Sequence, residues 1–189
     1  MKHKTNFRWI ISITIISIVT SMAFSLVSSE ILDGAGYIIA FLLLAVFILL
    51  GIVFDMLGVA VTSAREAPFH SMASHKEKGA REALNLVKSS EKVSSICNDV
   101  VGDISGIVSG ATAAVIAGNL TRDLTVSGVL TQLAVTGLVA GLTIGGKALG
   151  KTAAINSDTK IVLIAGKIIS VFHPAKSGNN RKNRNKVEK

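Results

Sequence analysis

Asp55, Asn98, Asp99, Asp103 and Ser105 are the side chains whose types and spacing offer this chain a chemistry. Asp99 and Asp103 stand at i and i+4 in "CNDVVGD" (97–103), which puts both on one face of a helix. Asn98 lies beside them, Ser95 and Ser105 flank them, and Asp55 ends a separate apolar run. All are hard oxygen donors, the set that suits Mg²⁺ or another divalent cation. A bound ion would also offset the cost of ionised carboxylates at a membrane boundary. A plainer reading stands beside this one. Asp99 and Asp103 are close to Lys92 in sequence and would also serve as interfacial caps or as partners of Arg65 or Lys147, and Asp55 would be solvated at its helix end.

Other chemistries lack their residues. A single Cys97 excludes an internal disulfide, and no Cys/His spacing suits zinc. His70 and His75 read as surface residues, and no P-loop follows Gly145 and Gly146. With no nucleophile–base pair or metalloprotease pattern, an enzyme is not expected.

The elements that must carry these residues are read from long apolar runs. The chain has 189 residues, 49% of them hydrophobic. Residues 9–29 and 34–54 contain no charge, and two more runs lie in the later part of 94–118 and at 124–146. Each is long enough to cross a hydrocarbon core of about 30 Å as a helix. The expectation is an all-α polytopic membrane protein with about four transmembrane helices. The basic start and "SMAFS" of the first run also resemble a signal peptide, but the run exceeds a usual apolar signal region, so a retained span is expected. Gly102, Gly106 and Gly110, then Gly137, Gly141 and Gly145, recur every four residues and suit close helix packing.

Charge maps the topology. The net charge is +8, and 19 of the 20 Lys and Arg fall in the N-terminal segment, the loop between the second and third runs, and the region from 147 onward. Arg122 is alone on the other side. By the positive-inside rule this is a multi-pass cell-membrane protein with both termini cytoplasmic. The basic excess is a topogenic signal that also attracts anionic membrane lipids, not a nucleic-acid footprint.

Two amphipathic pieces are expected on the cytoplasmic side. Residues 71–88 place Ala80, Ala83, Leu84 and Val87 on one helical face, with Glu77–Arg81 and Lys78–Glu82 as i, i+4 pairs opposite. Residues 158–174 read as a short interfacial or re-entrant helix, and 175–189 as a basic disordered tail.

The order of elements resembles the transmembrane domain of the cyclin-M/CorC (CorB) family, linked to magnesium and cobalt transport. The resemblance rests on "FDMLGVAVTSA" (54–64), "KGAREALNLVKSSEKVSS" (78–95), "CNDVVGD" (97–103) and "GGKALGKTAA" (145–154). Residues 37–157 follow the family's three-span plan, with residues 1–36 as an additional span and outer loop. The chain departs from the family where its first motif has Glu and this chain Gly58, and where its last has Glu and Pro and this chain Lys147 and Gly150. The family's regulatory CBS-pair and C-terminal domains have no counterpart here. What the resemblance implies is a homodimeric Mg²⁺, and Co²⁺, transporter or exporter core in which Asp55 and Asn98 contact the ion. The competing expectation is a non-transporting scaffold or regulatory subunit that holds a partner or anionic lipid through its amphipathic helix and basic tail.

Overall fold

The computed structural model describes residues 7–32, 36–124 and 127–172. Among them every regular element is helical. Helix α1 is Phe7–Leu32, α2 Tyr37–Ser63, α3 Glu66–Ser74 and α4 Ala80–Lys88. A short α5, Ser90–Ser94, runs through a π-helical turn at Ser95–Gly102 into α6, Asp103–Leu124. Helices α7, Gly128–Asn156, and α8, Asp158–Phe172, follow.

Four stretches are long and apolar enough to cross a membrane: Phe7–Leu32, Tyr37–Ser63, Ser90–Asp123 and Gly128–Asn156. Their outer faces carry bare aliphatic residues, among them Ile38, Val129 and Leu149. An exposed apolar surface of this extent suits lipid rather than water. The chain is therefore a polytopic all-α protein of membrane-spanning character.

The helices overrun their apolar runs, and this matters for the site. α2 continues past residue 54 to Ser63, and α7 past residue 146 to Asn156. A lone Asp or Lys is compatible with a helix that continues, and "MLGVAVTS" and "ALGKTAA" carry both on into turns whose Ala60, Val61 and Ala154 pack in one cluster. Asp55 thus lies inside α2, and Lys147 and Lys151 lie inside α7.

Helix α2 is the centre of the bundle, touching α1 and α4 through α8. Along it three apolar clusters form. Leu43 and Phe47 pack with Val100, Ile104 and Val108, and Ala40 and Leu44 with Ala113, Ile116 and Val139. Ala60 and Val61 join Phe69, Ala83, Val87, Ala154 and Val162 at the lysine-rich end. α1 lies along the bundle by a single stripe. Its Phe24 ring meets Phe47 at 5.6 Å, Ser28 Oγ shares a hydrogen bond of 3.1 Å with Thr112 Oγ1, and Trp9 lies 5.5 Å beneath the Lys92 ammonium.

The expected single helix over 71–88 is two helices. Lys76 and Gly79 take positive φ, 58° and 82°, and break the chain between α3 and α4. At Gly79 the reason is contact: a Cβ would come within 2.5 Å of the Lys167 backbone nitrogen. Across from it a Cβ on Gly166 would fall 2.3 Å from the Gly79 oxygen. Two glycines therefore let α4 and α8 cross backbone to backbone. The expected apolar face is present, with Ala80 and Ala83 wholly buried and Val87 nearly so, but protein covers it. α8 likewise packs against α4 and α2. Glu77, expected to pair along one helix with Arg81, lies in the break between α3 and α4, 3.7 Å from Lys167 of α8. The basic tail, 175–189, and Pro174 lie outside the described residues.

Candidate functional site: an acid, an amide and two lysines

Gly51, Asp55 and Gly58 follow one another at i, i+4 and i+7 along α2, and all three are buried. They form a seam, since each is on the face turned to the π turn and α6. At Gly58 only a hydrogen fits: a Cβ would stand 2.0 Å from Asn98 Oδ1. At Gly51 a Cβ would meet the Ser105 Cβ at 3.3 Å. The facing wall is Asn98, Gly102 and Ser105, and a Cβ on Gly102 would lie 3.8 Å from Asp55 Oδ1.

The π turn builds that wall. Its closing N–H, from Asp103, bonds the Asn98 carbonyl five residues back. Such a widened turn disturbs the regular ladder and is frequent where a helix carries function. Here it sits where Asn98 and Gly102 face α2.

Helix α7 supplies the charges. Gly150 is buried and Gly146 partly so, both against Ile52 of α2, and a Cβ on Gly146 would overlap Ile52 Cδ1 at 2.4 Å. This close approach brings the adjacent lysines to the seam. Lys151 Nζ is 3.5 Å from Asp55 Oδ2. Lys147 Nζ donates to the Gly102 carbonyl at 3.3 Å and lies 3.9 Å from Asp103 Oδ1.

Asp55 is 4% exposed, and its Oδ2 accepts no hydrogen bond. The Lys151 ammonium therefore balances its charge from ion-pair distance without donating to it. Asn98 Oδ1 is also buried without a donor, although its Nδ2 donates to Ser94 Oγ at 3.2 Å. Two orphaned buried oxygens on one seam are a costly arrangement, each forfeiting its solvation.

The five oxygen-bearing residues expected to converge do so only in part. Asp55 and Asn98 are on the seam. Ser105 is buried beside it, but its hydroxyl donates to the Val101 carbonyl at 2.6 Å. Asp99 is exposed and accepts from Ser95 Oγ at 2.9 Å, and the Asp103 side chain is 70% exposed. Among the described residues no group of three His, Cys, Asp or Glu side chains comes together. The glycine rows also divide. Gly102 lies in the seam, while Gly106, Gly110, Gly137, Gly141 and Gly145 would meet nothing within 4 Å.

The donor set can be weighed against a divalent ion. One carboxylate, one amide oxygen and a backbone carbonyl fall short of the near-octahedral oxygen shell that Mg²⁺ demands, unless water completes it. Two ammonium groups already stand among them. In this arrangement a protein cation occupies the place that an external one would take. The chain matches no family model, no curated protein and no solved structure.

Proposed function

We propose that the chain is the membrane-embedded core of a cation carrier, with Asp55 and Asn98 as the oxygen pair that meets the cargo. The cargo in this reading is Mg²⁺, with Co²⁺ as a second ion of the same class. The observation that carries it is the pair of buried oxygens without donors, Asp55 Oδ2 and Asn98 Oδ1, inside a helix bundle suited to lipid. Intramembrane ionisable groups mark ion pathways because their burial is otherwise unfavourable. Lys151 is the resident counter-ion. Its side chain is 52% exposed, so it can turn to water when cargo, keeping some of its own water, reaches Asp55. Lys147, 19% exposed, stays on Gly102.

The lysine-rich end faces the cytoplasm in this proposal, because every Lys and Arg of the described residues except Arg122 lies toward it. The open face of α7 at Gly137, Gly141 and Gly145 admits a close helix from a second copy, giving a homodimer.

The Asp55–Lys151 pair also favours a second reading, in which it ties α2 to α7 in a non-transporting scaffold or regulatory subunit. A thermal-stability titration of the detergent-purified chain with Mg²⁺, Mn²⁺, Co²⁺ and Ca²⁺ separates the two. A carrier gives a saturable rise that Asp55→Asn and Asn98→Ala each abolish and Asp99→Asn leaves in place. A flat response in the parent chain, with Asp55→Asn merely less stable, gives the scaffold reading the lead.

A further inference from the structure

The two lysines of the seam are held differently. Lys151 meets Asp55 at 3.5 Å with a side chain half in water. Lys147, one turn earlier on α7, has a side chain only 19% exposed. Its ammonium has two partners across the helix boundary, the Gly102 carbonyl of the π turn and Asp103 Oδ1 of α6.

The stem of Lys147 runs along the seam itself. Its Cε would lie 3.9 Å from a Cβ on Gly51 of α2. A Cβ on Gly102 would stand 3.7 Å from Lys147 Nζ and 3.8 Å from Asp55 Oδ1. The ammonium and the carboxylate therefore border one small space, which no side chain on Gly102 fills. Lys147 thus claims one oxygen of the seam and sets a positive charge near another. Its burial and its hydrogen bond hold it there, whereas Lys151 can turn to water.

We infer that Lys147 sets the affinity of this seam for its cargo, as a tethered cation that keeps divalent binding weak. The inference rests on the carrier reading and adds to it a specificity-determining residue. Two effects act in the same direction. The Gly102 carbonyl is withheld from the incoming ion, and the fixed charge repels a divalent ion twice as strongly as a monovalent one. At the effective dielectric of a protein boundary, a unit charge a few ångströms away is enough to shift affinity by at least about tenfold. An ion held weakly leaves as readily as it enters, which is what passage through a membrane requires.

Isothermal titration calorimetry of the detergent-purified full chain with Mg²⁺ tests this, and thermal melts without added cation check the fold of each variant. Lys147→Gln and Lys147→Met should each bind Mg²⁺ at least about tenfold more tightly than the parent. Met offers no oxygen, so its gain cannot come from a new ligand. Lys147→Arg, which keeps the charge and can donate to Gly102, should bind as the parent does. Adding Asp55→Asn to Lys147→Gln should abolish the gain, and adding Asp103→Asn should leave it. If Lys147→Gln and Lys147→Met bind as the parent does, with binding still lost in Asp55→Asn, the carrier reading stands and this inference falls. A gain as large in Lys147→Arg would overturn charge as the cause. A gain that survives Asp55→Asn, or that vanishes with Asp103→Asn, would overturn the inference in favour of a site at the released Asp103. No binding in the parent or in any Lys147 variant would remove the carrier reading, and this inference with it.

Discussion

Asp55 gains its character from what surrounds it rather than from its own chemistry. It sits between the Phe47 cluster and the Val61 cluster, beside two glycines, with one ammonium as its only charge partner among the described residues. Removing that partner leaves a buried charge uncompensated. Lys151→Gln is therefore expected to destabilise the chain by roughly 1–3 kcal/mol, below the figure for a wholly buried pair because Lys151 is half in water. Asp55→Asn/Lys151→Gln should recover most of that loss, and a double-mutant cycle in urea reads the coupling. Additive losses would show that the pair does not interact. The same residues show what spacing can and cannot convey. Asp99 and Asp103 do share a helix face, as i and i+4 require, but it is the outer one. The neighbouring pair one position back, Asn98 and Gly102, turns inward. Spacing fixes the angle between two side chains and leaves open which pair meets the core.

At the scale of elements, the four long apolar helices were legible because an apolar run of bilayer length has few other uses. Their ends were less so. A single charge followed by more apolar residues is consistent with a helix that stops and with one that continues, and tertiary packing against α6 and α8 decides for the latter. Lys147 was legible as a partner for Asp99 or Asp103, and it does lie 3.9 Å from Asp103, whereas Lys151 reads only as topology, since counting charges does not tell which face of α7 it occupies. The split of 71–88 was hidden for a similar reason. Its local signals favour one amphipathic helix, and the break follows from a contact made by Gly166, some ninety residues away in the chain. That contact gives an element-scale prediction. Gly166→Val should push α8 off α4, lower the melting temperature by an amount equivalent to about 1–3 kcal/mol, and open Lys160 and Lys167 to trypsin. Cleavage as slow as in the parent chain would mean that the helices cross with room to spare.

The whole molecule is asymmetric from end to end. Among the described residues all the Lys and Arg but Arg122 gather toward the end where α3, α4, α5 and α8 pack, while a cleft between α1 and α6 reaches toward the other. This asymmetry predicts a labelling pattern. Native Cys97 is buried and should stay silent, so Ser127→Cys and Lys160→Cys can be read with a membrane-impermeant maleimide. Ser127→Cys should react in intact cells and Lys160→Cys only after permeabilisation. The reverse pattern would invert the proposed orientation, and equal labelling would mean that α7 does not cross.

The glycine crossing of α4 and α8 has a mechanical consequence. Only Ser157 separates α7 from α8, so the position at which α8 docks also fixes the last turns of α7, including Lys151. With no side chain between Gly79 and Gly166 to yield, displacement of α8 is transmitted rather than absorbed. Any force applied to the chain beyond Phe172 acts through a stiff linkage whose far end is the ammonium facing Asp55.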